Sequence, residues 1–150
     1  MGEKTVVSYL SDITLVTLQN CSANMEDITK VLKGISDVGV NIDMISLAPT
    51  HGSLTDFSFT IDDNDLFTCI SELRASTDTK FIVSNGNYKL SVYDPDMKNT
   101  PGVAFKALNA AASVHADIRL ISTSEVEISF LVTSADFERT LDAVQRTMAQ

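Results

Sequence analysis

Two short segments carry the groups in this chain best suited to hold a small charged molecule. They are Asn99-Thr100-Pro101-Gly102-Val103-Ala104 and Ile121-Ser122-Thr123-Ser124-Glu125-Val126-Glu127-Ile128-Ser129. Thr100 has the side chain of a helix N-cap, and Pro101 suits the first helical position. Gly102 leaves the first turn bare, so a ligand can approach the backbone. Unpaired N–H groups at a helix start attract a carboxylate. Ser122, Thr123, Ser124 and Glu125 offer hydroxyls and one anionic oxygen pair, and Glu125 could take an ammonium. Together they describe a pocket for a free amino acid. Taken singly, each is an ordinary helix start or polar strand end, so the expectation depends on the fold bringing them together.

Other chemistry is poorly supplied. His51 and His115 are the two histidines, and neither stands at metal-ligand spacing from a cysteine. Asp94-Pro95-Asp96 reads as a turn rather than an acidic metal loop. There is no Gly-x-x-x-x-Gly-Lys-Ser/Thr phosphate loop. No Ser/His/Asp or Cys/His set suggests a nucleophile system. We therefore expect no catalytic residue, metal or cofactor.

The elements that must position the two segments are written twice. Val40-Asn41-Ile42-Asp43-Met44-Ile45-Ser46 returns as Ala116-Asp117-Ile118-Arg119-Leu120-Ile121-Ser122, an offset of 76, at which Lys30 also meets Lys106. Further on the offset falls to 71, where Ser58-Phe59 meets Ser129-Phe130 and Asp65 meets Asp136. The first copy holds five extra residues in the turn around Pro49 to Ser53. Such a repeat means two copies of one small domain.

In the first copy, alternation predicts strands at Ile13–Leu18, Asn41–Leu47 and Leu54–Ile61, and a short one at Lys80–Val83. Asn24 caps a helix with Ile28, Val31, Leu32, Ile35 and Val38 inward, which Gly39 ends. Asp63 opens a second helix with Leu66, Phe67, Ile70 and Leu73 inward. Asn85-Gly86-Asn87 reads as the turn joining the halves. The second copy repeats the pattern with strands Tyr88–Tyr93, Asp117–Thr123 and Val126–Val132, and helices Pro101–Val114 and Ala135–Met148.

The second copy then lacks a closing strand, while Thr5–Leu10 is a strand with no place in the first. The economical solution is that this segment completes the second sheet. The expected fold is α+β: two ferredoxin-like βαββαβ domains, the first (11–86) inserted in the second (87–150 plus 4–10).

Composition narrows the class further. Units of about 65–75 residues are marginal alone and should pack on one another and on a second chain. Twenty acidic against 11 basic residues give a formal charge of −9, and the cations form no stripe, which argues against nucleic acid and anionic membranes. No apolar run could cross a bilayer, and Met1–Asp12 lacks the apolar core of a signal peptide. Cys21 and Cys69 make no disulfide framework and read as reduced, in a cytoplasmic protein, with Cys69 on an apolar helix face.

At these residues the chain resembles the regulatory part of aspartokinases, a tandem pair of ACT domains. Thr100-Pro101-Gly102-Val103-Ala104 and Asp117 through Ser129 look like the second ACT domain of that family. Gly39-Val40-Asn41-Ile42-Asp43-Met44-Ile45 and Thr55-Asp56-Phe57-Ser58-Phe59-Thr60 look like the first. The resemblance implies binding of a feedback amino acid, typically lysine or threonine, at ACT–ACT interfaces. It also implies a homodimer through the ACT domains and a kinase catalytic domain or subunit as partner. Carried over by position, the effector would meet Met97, Asn99, Thr100, Pro101, Gly102, Val103, Thr123, Ser124 and Glu125, with Asn41, Ile42 and Asp43 opposite. A second, weaker site would use Asn24, Met25 and Glu26 with Asp117 and Ile118.

Three positions depart from the family pattern: Ala23-Asn24-Met25-Glu26 replaces Asp-x-Pro-Gly, Leu47 a Gln, and Asp117 an Asn. Glu26 and Asp27 in the first helical turn would also repel an incoming carboxylate. An interaction module with degenerate effector sites is therefore the alternative reading. Nothing resembles the family's kinase portion, so a separate regulatory chain or an excised regulatory region is expected.

Overall fold

The computed structural model describes residues 5–149; Lys4 and Gln150, at the edges of the expected second domain, lie outside them. The chain divides into two compact units. One runs from Asp12 to Asn85, and the other joins the segment ending at Ser11 to the segment beginning at Gly86.

The unit 12–85 receives the later part of the long strand β1 (Val6–Ser22), then α1 (Met25–Asp37), β2 (Ile45–Leu47), β3 (Leu54–Asp62), α2 (Leu66–Ser76) and the start of β4 (Phe81–Tyr93). Its strand order is β2-β3-β1-β4. β3 is antiparallel to both β1 and β2, with Phe59 opposite Val16 and Ile45. Alternation along β3 puts Phe57, Phe59 and Ile61 on one face, none more than 2% exposed. These rings and Val16 and Leu18 pack with Ile28, Ile35, Cys69 and Leu73. Burying each large side chain contributes about 1.5–3 kcal/mol.

Val38, expected on the inward stripe, stands at the C-cap of α1 and is exposed, and two further expectations fail in this unit. Phe67 is 82% exposed, while Cys69 and Leu73 are fully buried. The turn Asp63–Asp65 delays the α-helix to Leu66, and the i, i+4 pair Cys69–Leu73 then takes the inward stripe. The strand expected from Asn41 begins only at Ile45. Thr60 explains this: its carbonyl accepts the Asp43 N–H at 3.0 Å and its hydroxyl accepts the Met44 N–H at 2.9 Å. A side chain thereby takes a bond that a regular ladder would give to the backbone.

The other unit holds the start of β1, the later part of β4, α3 (Val103–Ser113), β5 (Ile118–Thr123), β6 (Glu127–Val132) and α4 (Phe137–Met148). Its strand order is β5-β6-β4-β1. Leu90, Val92, Ile128, Phe130 and Val132 from the sheet meet Ala107, Ala110, Ala111, Val144 and Met148 from the helices. Val7 packs against this core, and Tyr9 lies 4.9 Å from Phe137, which stacks on Tyr88 at 3.8 Å.

Asn85-Gly86-Asn87 makes no turn. It lies inside β4, with Gly86 at φ 70°. An Asn-Gly hairpin needs the flanking strands to pair with each other, but Tyr88–Tyr93 pairs with β6 instead. Likewise Thr5–Leu10 and Ile13–Leu18 are not separate strands: β1 runs through both, with Asp12 at φ 60°.

Candidate functional site

β4 and β5 both run antiparallel to β6, so their C-terminal ends at Tyr93 and Thr123 lie at one end of the sheet. From Tyr93 the chain leaves as a loop pinned to the β5–β6 turn, the Asp94 N–H donating to the Val126 carbonyl at 2.8 Å. Asp94 is 2% exposed; its carboxylate accepts the Asp96 N–H at 2.9 Å and the Thr5 hydroxyl at 3.4 Å. Asp94-Pro95-Asp96 is thus a self-bonded turn. A 3-10 turn at Met97–Asn99 follows.

The helix start differs from expectation. Thr100 is not the N-cap and Pro101 is not the first helical residue: α3 begins at Val103, and Gly102 stands at the cap position with φ 95°. The left-handed conformation at Gly102 is cheap only without a Cβ, and it displaces the start by two residues. Nothing lies within 4 Å of where a Gly102 Cβ would stand, so the approach is open. The first turn has no side-chain cap bond and no acidic residue. Val103 is 6% exposed and belongs to the core. Met97 packs against the same core, whereas Asn99 and Thr100 are exposed.

Thr123, Ser124 and Glu125 are exposed at the β5–β6 turn. The Ser124 N–H donates to the Glu127 carbonyl at 2.8 Å, and the Ser124 hydroxyl accepts the Val126 N–H at 3.3 Å. Glu125 has no ion pair among the described residues.

Asn41, Ile42 and Asp43 belong to the other unit. Asn41 and Asp43 are exposed, and Ile42 packs against that unit's core. Asn24, Met25 and Glu26 open α1 there. The Asn24 side chain accepts the Glu26 N–H at 2.8 Å, so this helix start is already capped, and Glu26 and Asp27 make it acidic. Asp117 is held by its own neighbours. Its carboxylate takes bonds from Arg119 at 3.1 and 2.8 Å, and its N–H donates to Asp136 at 2.8 Å. Ile118 packs against the core of its unit.

Sequence reasoning missed the Asp136 clip. Its carboxylate accepts the Asp117 N–H and the Arg139 guanidinium, the latter at 2.6 Å, and Arg139 also donates to the Val114 carbonyl at 2.9 Å. The Asp117 N–H and then Arg139 hold the Asp136 carboxyl below the usual carboxylate range. The Asp65–Asp136 match in the repeat was the available signal. Both cysteines are buried; burial, then Asp65 and Glu72, push the Cys69 thiol up to about 11, and burial raises Cys21 as well. Among the described residues no group of three or more His, Cys, Asp or Glu side chains is arranged to hold a metal. No helix among them is long and apolar enough to cross a membrane.

Comparison with known proteins bears on both units. Residues 90–148 match the ACT domain family profile. An aspartokinase of Corynebacterium glutamicum is 30% identical over 145 residues, covering 89% of this chain and 32% of the relative. The chain spans about a third of the length of the curated relatives it matches. The regulatory subunit of aspartate kinase from Thermus thermophilus, in ligand-free form, superposes with a TM-score of 0.86 at 26% identity, covering 94% of this chain and 95% of that one. A structure of aspartokinase alpha and beta subunits shares the fold, with a TM-score of 0.87 at 22% identity over 96% of this chain and 97% of that chain.

Proposed function

The chain is an ACT-domain regulatory region of the aspartokinase kind, and on that premise we propose that it is a cytoplasmic, non-catalytic amino-acid sensor. It binds lysine or threonine at ACT–ACT interfaces, pairs with a second copy through its ACT domains, and regulates an aspartokinase catalytic domain or subunit. The unit 12–85 is the first ACT domain, inserted in the second, whose sheet the N-terminal strand completes. The effector carboxylate meets the bare start of α3 around Thr100–Val103, its ammonium meets Glu125, and Asn41–Asp43 of a facing ACT domain closes the site. Regulation follows if the effector binds one of two states more tightly.

One observation carries this reading: an uncapped, acid-free helix start with open space before Gly102, at the same end of the sheet as the exposed Thr123–Glu125 turn. Titration calorimetry of the full chain against lysine and threonine should give heat with at least one, and Gly102→Leu should abolish it while the dimer persists by sedimentation. Tight binding by that variant removes the site.

A specific observation keeps a second reading for the other helix start. The Asn24 cap and the Glu26–Asp27 pair at α1 favour an interaction role there, with Asn24, Met25, Glu26, Asp117 and Ile118 forming a degenerate effector site. Calorimetry that gives no heat with any amino acid favours the interaction module for the whole chain.

A further inference from the structure

The repeat places equivalent residues of the two copies in equivalent positions, and the layer between helices and sheet has diverged at one of them. In the unit 12–85 the N-terminal part of α1 and the end of α2 leave a cavity of about 270 Å³. In the other unit the matching place is a cavity of about 70 Å³. At the two offsets, Lys30 matches Lys106, Asp27 matches Val103, and Thr77 matches Met148. Val103 and Met148 are each 6% exposed and fill the second copy's space with apolar side chains. In the first copy Asp27 and Thr77 stand there instead, and the chain leaves α2 in extended form at Thr77, with φ −145°.

The smaller space has room for about two waters, whereas the larger approaches the lower end of ligand pockets. Its floor is apolar, formed by Leu18, Ile28, Val31 and Phe57, and its rim carries Asp27, Lys30 and the hydroxyls of Ser76 and Thr77. The Ser22 hydroxyl donates to Asp27 at 2.7 Å. Lys30 has no ion pair among the described residues. A wall with one anion and one cation three residues apart on a helix, over an apolar floor, is complementary to a zwitterion with an apolar side chain.

We propose that this cavity is a second small-molecule site, complete within the unit 12–85, which takes a free amino acid with an apolar side chain. The ammonium sits at Asp27, the carboxylate at Lys30, and the side chain between Ile28, Val31 and Phe57. The site is separate from the start of α3 and needs no facing domain.

Heteronuclear NMR of the 15N-labelled full chain, titrated with L-valine, L-leucine, L-methionine and L-phenylalanine, tests this. At least one should shift the amides of Cys21, Val31, Thr77 and Thr79 in a saturable way. Lys30→Met should weaken that binding about tenfold, which corresponds to about 1.4 kcal/mol. Thr77→Met, which installs the second copy's side chain, should abolish it. The proposal is overturned if none of the four moves these amides at millimolar concentration, if both variants bind as the parent does, or if only an uncharged probe such as isobutanol enters. The amides of Asn99–Gly102 and Ser124–Glu125 report the α3 site in the same spectra, so either site can fail without the other.

Discussion

Asp136 shows how a single carboxylate sets local geometry. It bonds the Asp117 N–H and the Arg139 guanidinium, fixing the chain where it enters β5. Because those bonds favour its ionised form, its folded pKa lies below the ordinary 3.8. Its contribution is therefore complete above the unfolded value and is lost as pH falls through the lower folded value. Asp136→Asn should lower the urea midpoint at pH 7, and the gap from the parent should narrow below about pH 4. A gap of the same size at pH 7 and pH 3 would show that the charge is irrelevant. Gly102 sets local geometry differently, standing at a positive φ that L residues adopt only with strain.

At the scale of elements, the two equivalent helix starts have taken opposite solutions to the same problem. Each must satisfy the first N–H groups of a helix. α1 does so internally, with the Asn24 side chain on the Glu26 N–H and two acids in the first turn. α3 has neither, which leaves its dipole uncompensated by a side chain of its first turn. Asn24→Ala should accordingly cost about 1 kcal/mol, within a range of roughly 0.5–2, measured by thermal or urea unfolding. A stability unchanged by that substitution would mean that α1 depends on packing alone.

For the whole molecule, the decisive feature is that Val7 and Tyr9 pack with the core formed by residues from Gly86 onward, while residues 12–85 carry a core of their own. Residues 12–85 expressed alone should unfold cooperatively by calorimetry. Residues 87–149 alone should not, and should recover a cooperative transition when residues 5–11 are fused after Ala149 through a glycine linker. Cooperative unfolding of 87–149 without that strand would reject the insertion.

The sequence by itself carried the duplication, the alternating Phe57-Phe59-Ile61 face and the stripe of α1 from Ile28 to Ile35, because these are patterns of local period and copy number. It misread Asn85-Gly86-Asn87 as a turn, Phe67 as a core residue, and Thr100-Pro101 as the helix start. Each of those depended on packing between distant segments: β6 for the strand, the core that receives Cys69 and Leu73 for α2, and the core that receives Val103 for α3. The cavity beneath α1 had no local signature at all. Whether Thr77 or Met148 stands at the end of a helix looks unimportant until packing puts that position over a gap, and only the tertiary structure decides what fills it.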